Sequence, residues 1–243
     1  MEWSDDAIVL AMRPHGETSL VAEVLTRDHG RHSGLVRGAR GVRAILQPGN
    51  TLRAQWRARL SEHLGNFTLE LANARAGLLM ESRSGLAGLN AFAAVASAAF
   101  PERESHAPAY VASEILLEAM TRGGFSSWAP LFVRWEVGVL QELGFGLELW
   151  SCAATGTTDD LVYVSPKSGR AVSRPAGEPY RDRLFALPPF LLGSQAGAPS
   201  RADIAAGLKL TEFFLLERVF RPHGHTIPPS RLRLDEWASR ESD

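Results

Sequence analysis

Between Thr51 and Leu60 apolar and polar positions alternate without a break. Leu52, Ala54, Trp56, Ala58 and Leu60 fall on one parity, Arg53, Gln55, Arg57 and Arg59 on the other. A period of two sends successive side chains to opposite faces, so this stretch predicts a half-buried strand with its arginines along one open face. The same parity assigns Trp56 to the core, opposite the arginines. Runs of similar character at 7–13, 18–26, 33–37 and 67–72 are divided by turn residues, among them Pro14, Gly16, Gly30 and the mobile basic loop GARG at 38–41. Five short strands in about eighty residues predict a small antiparallel barrel, and the five-stranded OB-fold fits best.

From about Ser84 the period changes. The stretches 85–100, 107–122 and 127–143 read as helices, punctuated by Pro101, Pro108 and the Gly123-Gly124 pair. Leu131, Trp135, Val139 and Leu143 recur at helical spacing and are expected to face a bundle core. The pattern breaks again over 151–189, where 161–165 and 170–173 flank PKSG as a short hairpin. An amphipathic helix follows over 201–220, with Ile204, Leu208, Phe214 or Leu215, and Val219 on its inner side, and a short helix is expected near 231–238.

Charge adds a second pattern. The chain of 243 residues has a formal net charge of -1, yet 26–60 holds Arg27, Arg31, Arg37, Arg40, Arg43, Arg53, Arg57 and Arg59 against the single acid Asp28. A guanidinium is a planar fork of donors that stays charged at any working pH, which suits regularly spaced phosphates. A solvated surface is the plainer alternative, because only Lys167 and Lys209 interrupt the use of Arg as the basic residue. No run has the length of a membrane span, the start MEWSDDAIVL is acidic where a signal peptide would be basic, and one cysteine, Cys152, suits a reducing compartment. A cytoplasmic protein is expected.

Catalytic constellations are missing from the sequence. There is no Gly-x4-Gly-Lys-Ser/Thr loop, no His-Glu-x-x-His and no Gly-x-Ser-x-Gly. Asp159 and Asp160 read as a solvated turn. His223 and His225 with Cys152 would make at most a partial metal site, since a structural zinc takes four ligands. An enzyme whose groups converge only in three dimensions stays open, as does an RNA-binding barrel.

Three stretches together carry a resemblance. AIVLAMRPHGETSLVAEVLTRDHGRHSGLVRGAR near the start, LQELGFGLELWSCAATG at 140–156, and LLERVF with IPPSRLRL in 215–234 resemble the RecO family of bacterial DNA repair proteins; VYVSPKSGRAVS at 162–173 is most similar to its alphaproteobacterial branch. The resemblance implies an α+β multidomain chain. It would consist of an OB-fold nucleic-acid-binding domain over 1–80, a helical domain over 81–150 and 199–243, and a small zinc-ribbon-like β insert over 151–198. It implies a non-catalytic protein that binds single- and double-stranded DNA and anneals complementary strands. With RecR, it would help load RecA onto strands coated by single-strand-binding protein, in the cytoplasm at the nucleoid. It also implies a receptor for the acidic, Phe-ended tail of single-strand-binding protein. Arg134, flanked by Leu131 and Val137, is the positional match, and pairing of Arg134 with Glu136 or Glu142 is the alternative. Metal-binding members carry two Cys-x-x-Cys pairs in the insert. Here Cys152 is followed by Thr155, and Ser173 and Ala176 fall at the other positions, so no zinc and no other cofactor is expected.

Overall fold

The computed structural model describes residues 1–38, 41–60, 62–193 and 198–239. The chain divides into two compact units, 1–122 and 123–243.

The first unit is built on five strands, β1 (Glu2–His15), β2 (Ser19–Thr26), β3 (Arg31–Val36), β4 (Thr51–Arg57) and β5 (Asn66–Asn73), closed into a barrel in the order β1-β2-β3-β5-β4. β1 serves two neighbours. Its first half pairs with β4, from Glu2 opposite Arg57 to Ile8 opposite Thr51; its second half pairs with β2, and the register shifts between Val9 and Ala11. Such a bulge bends a strand and lets one long strand turn a barrel corner. The polar stretch Glu2 to Asp6 joins this strand because β4 supplies a partner for every residue of it, which overrides its weak strand propensity. β4 ends earlier than the alternation predicts. Arg57 pairs with Glu2 on one side and Asn66 on the other, and past it both ladders run out, so Arg59 lies beyond the strand.

Inward residues of all five strands make the core, among them Val9, Val24, Val36, Trp56, Phe67 and Leu69. Trp56 is 2% exposed, and its indole N–H donates to the Leu64 carbonyl at 3.0 Å. Gly34 is required here: a Cβ would sit 2.4 Å from the Phe67 ring.

Three helices complete the unit: α1 (Ala76–Glu81), which the periodicity does not announce, α2 (Arg83–Ala99) and α3 (Ala107–Arg122). The Asn50 side-chain oxygen accepts the backbone N–H groups of Arg75 and Ala76, each at 2.9 Å, and so caps the start of α1. The buried Arg75 guanidinium donates to the Gly49 carbonyl and pairs with Glu114 of α3, which also accepts from the Thr51 hydroxyl at 2.6 Å. The connection from α2 to α3 lies against β3. Arg31 Nε donates to the Phe100 carbonyl at 2.7 Å, and Gly30, at a φ of 68°, leaves no room for a Cβ beside the Glu104 carbonyl.

The second unit holds α4 (Phe125–Glu142), a three-stranded sheet of β6 (Leu161–Val164), β7 (Ala171–Ser173) and β8 (Phe185–Ala186) in the order β7-β6-β8, the short α5 (Arg174–Gly177), α6 (Arg201–Phe214) and α7 (Pro229–Ser239). The helix expected to run unbroken over 201–220 changes to π-helical winding over Leu215–Phe220. Ser200 and Asp203 form a reciprocal capping box at the start of α6. Ile204, Leu208, Phe214, Leu215 and Val219 are buried as expected. On α4 the buried face centres on Trp128, Phe132, Trp135 and Val139, and Leu131 and Leu143 fall at its margins.

At the centre of this unit Arg231 of α7 meets Glu136 of α4, both fully buried, with Nε to Oε1 at 2.6 Å and Nη2 to Oε2 at 3.0 Å. Thr211 donates to the same carboxylate, and Arg231 also donates to the Leu208 carbonyl at 2.8 Å. Burial opposes the Arg231 charge, but the Glu136 carboxylate outweighs it and keeps its pKa above the ordinary arginine value. Removing one member of such a pair strands the other without solvent. Arg231→Ala should lower the stability of the chain by about 3–5 kcal/mol in urea denaturation, and a loss below about 1 kcal/mol would show that the pair does not anchor α7.

Candidate nucleic-acid interface

The outward face of β4 carries Arg53, Gln55 and Arg57, as the alternation requires. What the barrel adds is their neighbours. Asp6 of β1 lies opposite Arg53 and Glu2 opposite Arg57, while Glu70 of β5 faces Arg53 from the other side. Arg57 Nη2 lies 2.6 Å from Glu2 Oε2 and its Nε 3.0 Å from the same oxygen. Arg53 approaches Asp6 at 3.6 Å, and Arg27 reaches the other oxygen of Asp6 at 3.8 Å. The stripe is therefore a mixed-charge face. These pairs are exposed, and each contributes only about 0–1 kcal/mol, so a phosphate can exchange with the acid; what the acids remove is the long-range attraction.

The remaining arginines divide. Arg31 is half-buried and spoken for: besides the Phe100 carbonyl it reaches Glu23 at 3.3 Å and Glu102 at 3.6 Å. Arg37, Arg43 and Arg59 are exposed. Arg37 Nε donates to the Asn66 side-chain oxygen at 3.1 Å, and among the described residues none of the three pairs with a carboxylate. Arg40 lies outside the described residues, as does part of the GARG loop. Asn66 places Arg37 at the end of the barrel where Arg57 closes β4, since Asn66 pairs with Leu35 of β3 and with Arg57. Here β3 and β5 share a single parallel pair, and a cavity of about 530 Å³ opens between them, lined by Val36, Val42, Phe67 and Leu69 with Arg37 at its edge. Arg37 and Arg59 thus stand near the end where β3 and β4 finish, and Arg43 follows Val42 of the cavity wall.

In the second unit no ion pair joins Arg134 to Glu136 or Glu142 among the described residues. Its Nε and Nη2 both donate to the Phe190 carbonyl, the former at 3.0 Å. Glu136 is committed to Arg231. A carbonyl is neutral, so this contact leaves the Arg134 charge uncompensated. Leu131 and Val137 flank it, half-buried.

Two family models cover most of the chain: Recombination protein O N terminal matches residues 1–75, and Recombination protein O C terminal matches residues 80–227. The chain belongs to the RecO family. It is 51% identical over 237 residues to the DNA repair protein RecO of Rhodospirillum centenum, covering 96% of this chain and 93% of that protein. It is 52% identical to the protein of the same name from Phenylobacterium zucineum, covering 96% of each. With that of Rhodospirillum rubrum it shares 49% over 248 residues, covering 100% of this chain and 98% of that protein. RecO is a DNA repair mediator family, and an α+β organisation with an OB-like N-terminal barrel followed by helices agrees with the match.

The RecO resemblance directs attention to Cys152. Its sulfur accepts the Ser173 backbone N–H at 3.3 Å and the Ser173 hydroxyl at 3.4 Å, across 21 residues of chain. The neighbouring backbone is pinned to β7 by Ala153 N–H donating to the Ala171 carbonyl at 2.8 Å. One thiol with hydroxyls at Thr155 and Ser173 does not meet the needs of a tetrahedral zinc site, which takes four sulfur or imidazole ligands. Hydrogen bonds hold the turn instead. Burial opposes the Cys152 thiolate, but hydrogen bonds from Ser173, from the Thr155 side chain and from the Ala154 backbone outweigh it and bring the pKa down to about 6. A group depressed in this way contributes stability above the pKa of the unfolded chain and loses it as pH falls through about 6. Thiolate absorbance of the native protein should titrate with a midpoint near pH 6 and vanish in Cys152→Ser. A midpoint at or above the ordinary thiol value would show that the Ser173 and Thr155 donors do not act on the sulfur.

Proposed function

We propose that this RecO-family chain is a non-catalytic DNA-binding and strand-annealing mediator of the RecFOR type. The observation that carries the reading is the three exposed guanidiniums, Arg37, Arg43 and Arg59, that have no carboxylate partner among the described residues of an OB-like barrel in a family of DNA repair proteins. Arg27, Arg53 and Arg57 extend that surface by exchanging their carboxylate partners for phosphates, and Arg40 belongs to the same basic segment. Arg31 contributes by position, since its own contacts hold the 100–106 connection on the barrel. Phosphate contacts carry no base information, so the strand contact made by these arginines is sequence-independent and weakens with salt. Annealing needs two strands with their charge neutralised and most of their bases free, and exposed guanidiniums meet that need.

The same reading gives the chain RecR and the tail of single-strand-binding protein as partners, RecA as an indirect beneficiary, and the nucleoid-bearing cytoplasm as its location. For the tail, Arg134 between Leu131 and Val137 supplies an uncompensated positive charge beside half-buried apolar side chains, suited to an acidic, Phe-ended peptide. No helix of the described residues is long and apolar enough to cross a membrane.

Annealing of complementary oligonucleotides across a salt series tests the DNA surface. Changing Arg37, Arg43 and Arg59 together to Ala should flatten the log-log salt slope for single strands by about 2 and slow annealing. Glu2→Gln with Asp6→Asn should do the reverse, freeing Arg57 and Arg53 and steepening the slope by about 1. If neither set moves the slope, the barrel arginines are only a solvated face; if the wild type anneals at no salt concentration, the mediator reading fails.

A further inference from the structure

The opposite side of β4 opens onto a second cavity, of about 480 Å³, whose wall is aromatic: Trp3, Trp56, His29 and His32, closed over by Arg103 and Ser105 of the connection between α2 and α3. All of it lies in the first unit. Trp3 stacks on His29 at 4.3 Å and 10° and lies nearly parallel to Trp56 at 5.8 Å. His32 meets both indoles edge to face, at 5.0 and 4.8 Å. Asp5 sets the His29 ring, its carboxylate lying 3.0 Å from Nδ1 while accepting the Asp28 backbone N–H at 2.7 Å.

His32 is the unexplained member. It is 4% exposed, and neither ring nitrogen makes a well-formed hydrogen bond, although the His29 backbone lies close enough to act on the ring. Orphaned polar groups in an interior are destabilising and uncommon, so a group kept this way calls for a ligand or a strain account. Burial, with the nearby Arg103 guanidinium, pushes its pKa down to about 4 against the opposing pull of the His29 backbone and Glu102. At neutral pH the imidazole is uncharged and offers one N–H donor and one bare acceptor nitrogen. Arg103 is held over the cavity in a left-handed conformation, φ 64°, with Nη2 donating to the Glu62 and His63 carbonyls at 3.2 and 3.1 Å. Non-glycine residues adopt that region at a cost and cluster at ligand sites.

The chemistry narrows the occupant. A neutral imidazole edge inside an aromatic wall matches a flat ring that carries its own donors and acceptors along one edge. A phenyl or aliphatic side chain would leave both nitrogens unpaired. A bare phosphate is disfavoured by the neutral ring and by Glu2 and Asp28 at the cavity's edge. The volume lies in the range of small-ligand pockets. We propose that this cavity takes one unstacked base of a single-stranded nucleic acid, its edge toward His32 and its backbone outside beside Arg103. The proposal rests on the DNA-binding reading above and adds a base-directed contact to it. One base per chain leaves the neighbouring bases free to pair.

Affinities of the full chain for oligothymidylate and for an abasic oligomer with the same number of phosphates, roughly twenty, separate base from backbone. The wild type should bind the base-bearing strand about tenfold more tightly and quench its tryptophan emission on doing so. His32→Phe removes the nitrogens and keeps a ring; Ser105→Trp fills the mouth from an exposed position and serves as the readout if His32→Phe does not fold. Either variant should bring the base-bearing strand to the abasic affinity and leave abasic binding unchanged. Equal wild-type affinity for the two oligomers, or a tenfold preference that survives both variants, would overturn the assignment while leaving DNA binding in place. Binding of neither oligomer would remove the DNA-binding reading and the pocket assignment together. A Phe-ended acidic peptide that quenches the wild type, and not His32→Phe, without a base preference would give the cavity to a protein partner and overturn the proposal.

Discussion

Closure of the barrel through β4 is the constraint on which the first unit turns. A strand hydrogen-bonded on both sides has no freedom of register, because a slip of one residue would bring Arg53 and Arg57 inside and put Trp56 in water. The same closure chooses the neighbours of the arginines. β1 brings Glu2 and Asp6 to the outer face and β5 brings Glu70, so three acids accompany two bases there. Charge that looks concentrated along the chain is diluted by pairing across it, and Arg37 and Arg59, without an acid partner among the described residues, lie where the ladders end.

The helices of this unit are secured by polar contacts at the point where the barrel stops. Asn50 caps α1, and Arg75 joins the Gly49 carbonyl to Glu114 on α3. Two residues, Gly30 between β2 and β3 and Arg103 of the connection, then determine the aromatic cavity. Gly30 lets the Glu104 backbone approach β3 within a distance no Cβ allows, and Arg103 takes up a left-handed conformation to cross its mouth. Packing of this kind sets a neutral imidazole beside two indoles, with no well-formed hydrogen bond to either ring nitrogen.

The second unit applies the same principle in two other places. Glu136 and Arg231 lie 95 residues apart in the chain and are fully buried together, with hydrogen bonds added by Thr211 and the Leu208 carbonyl and Asp235 lying 3.6 Å from the remaining Arg231 nitrogen. Cys152 and Ser173 hold a turn for which the family resemblance implies two further cysteine positions beyond these. In each case directed hydrogen bonds offset desolvation.

The sequence alone determined what depends on local periodicity. The five strands, the parity of Trp56 and Arg53, the three long helices of α2 to α4 and the inner face of α6 all follow from residues a few positions apart, where side-chain direction is set by the backbone itself. Family membership was legible for a related reason, in ordered motifs spread over nearly the whole chain. Local pattern could not announce α1, the polar first half of β1 or the π-helical end of α6, because a partner strand or packed neighbour decides each. Nor could it show that Asp6 and Glu2 meet the arginines, that Glu136 belongs to Arg231 rather than Arg134, or that His32 stands orphaned among indoles. Those are long-range pairings, and only the closed barrel and the packed helices bring such residues within reach of one another.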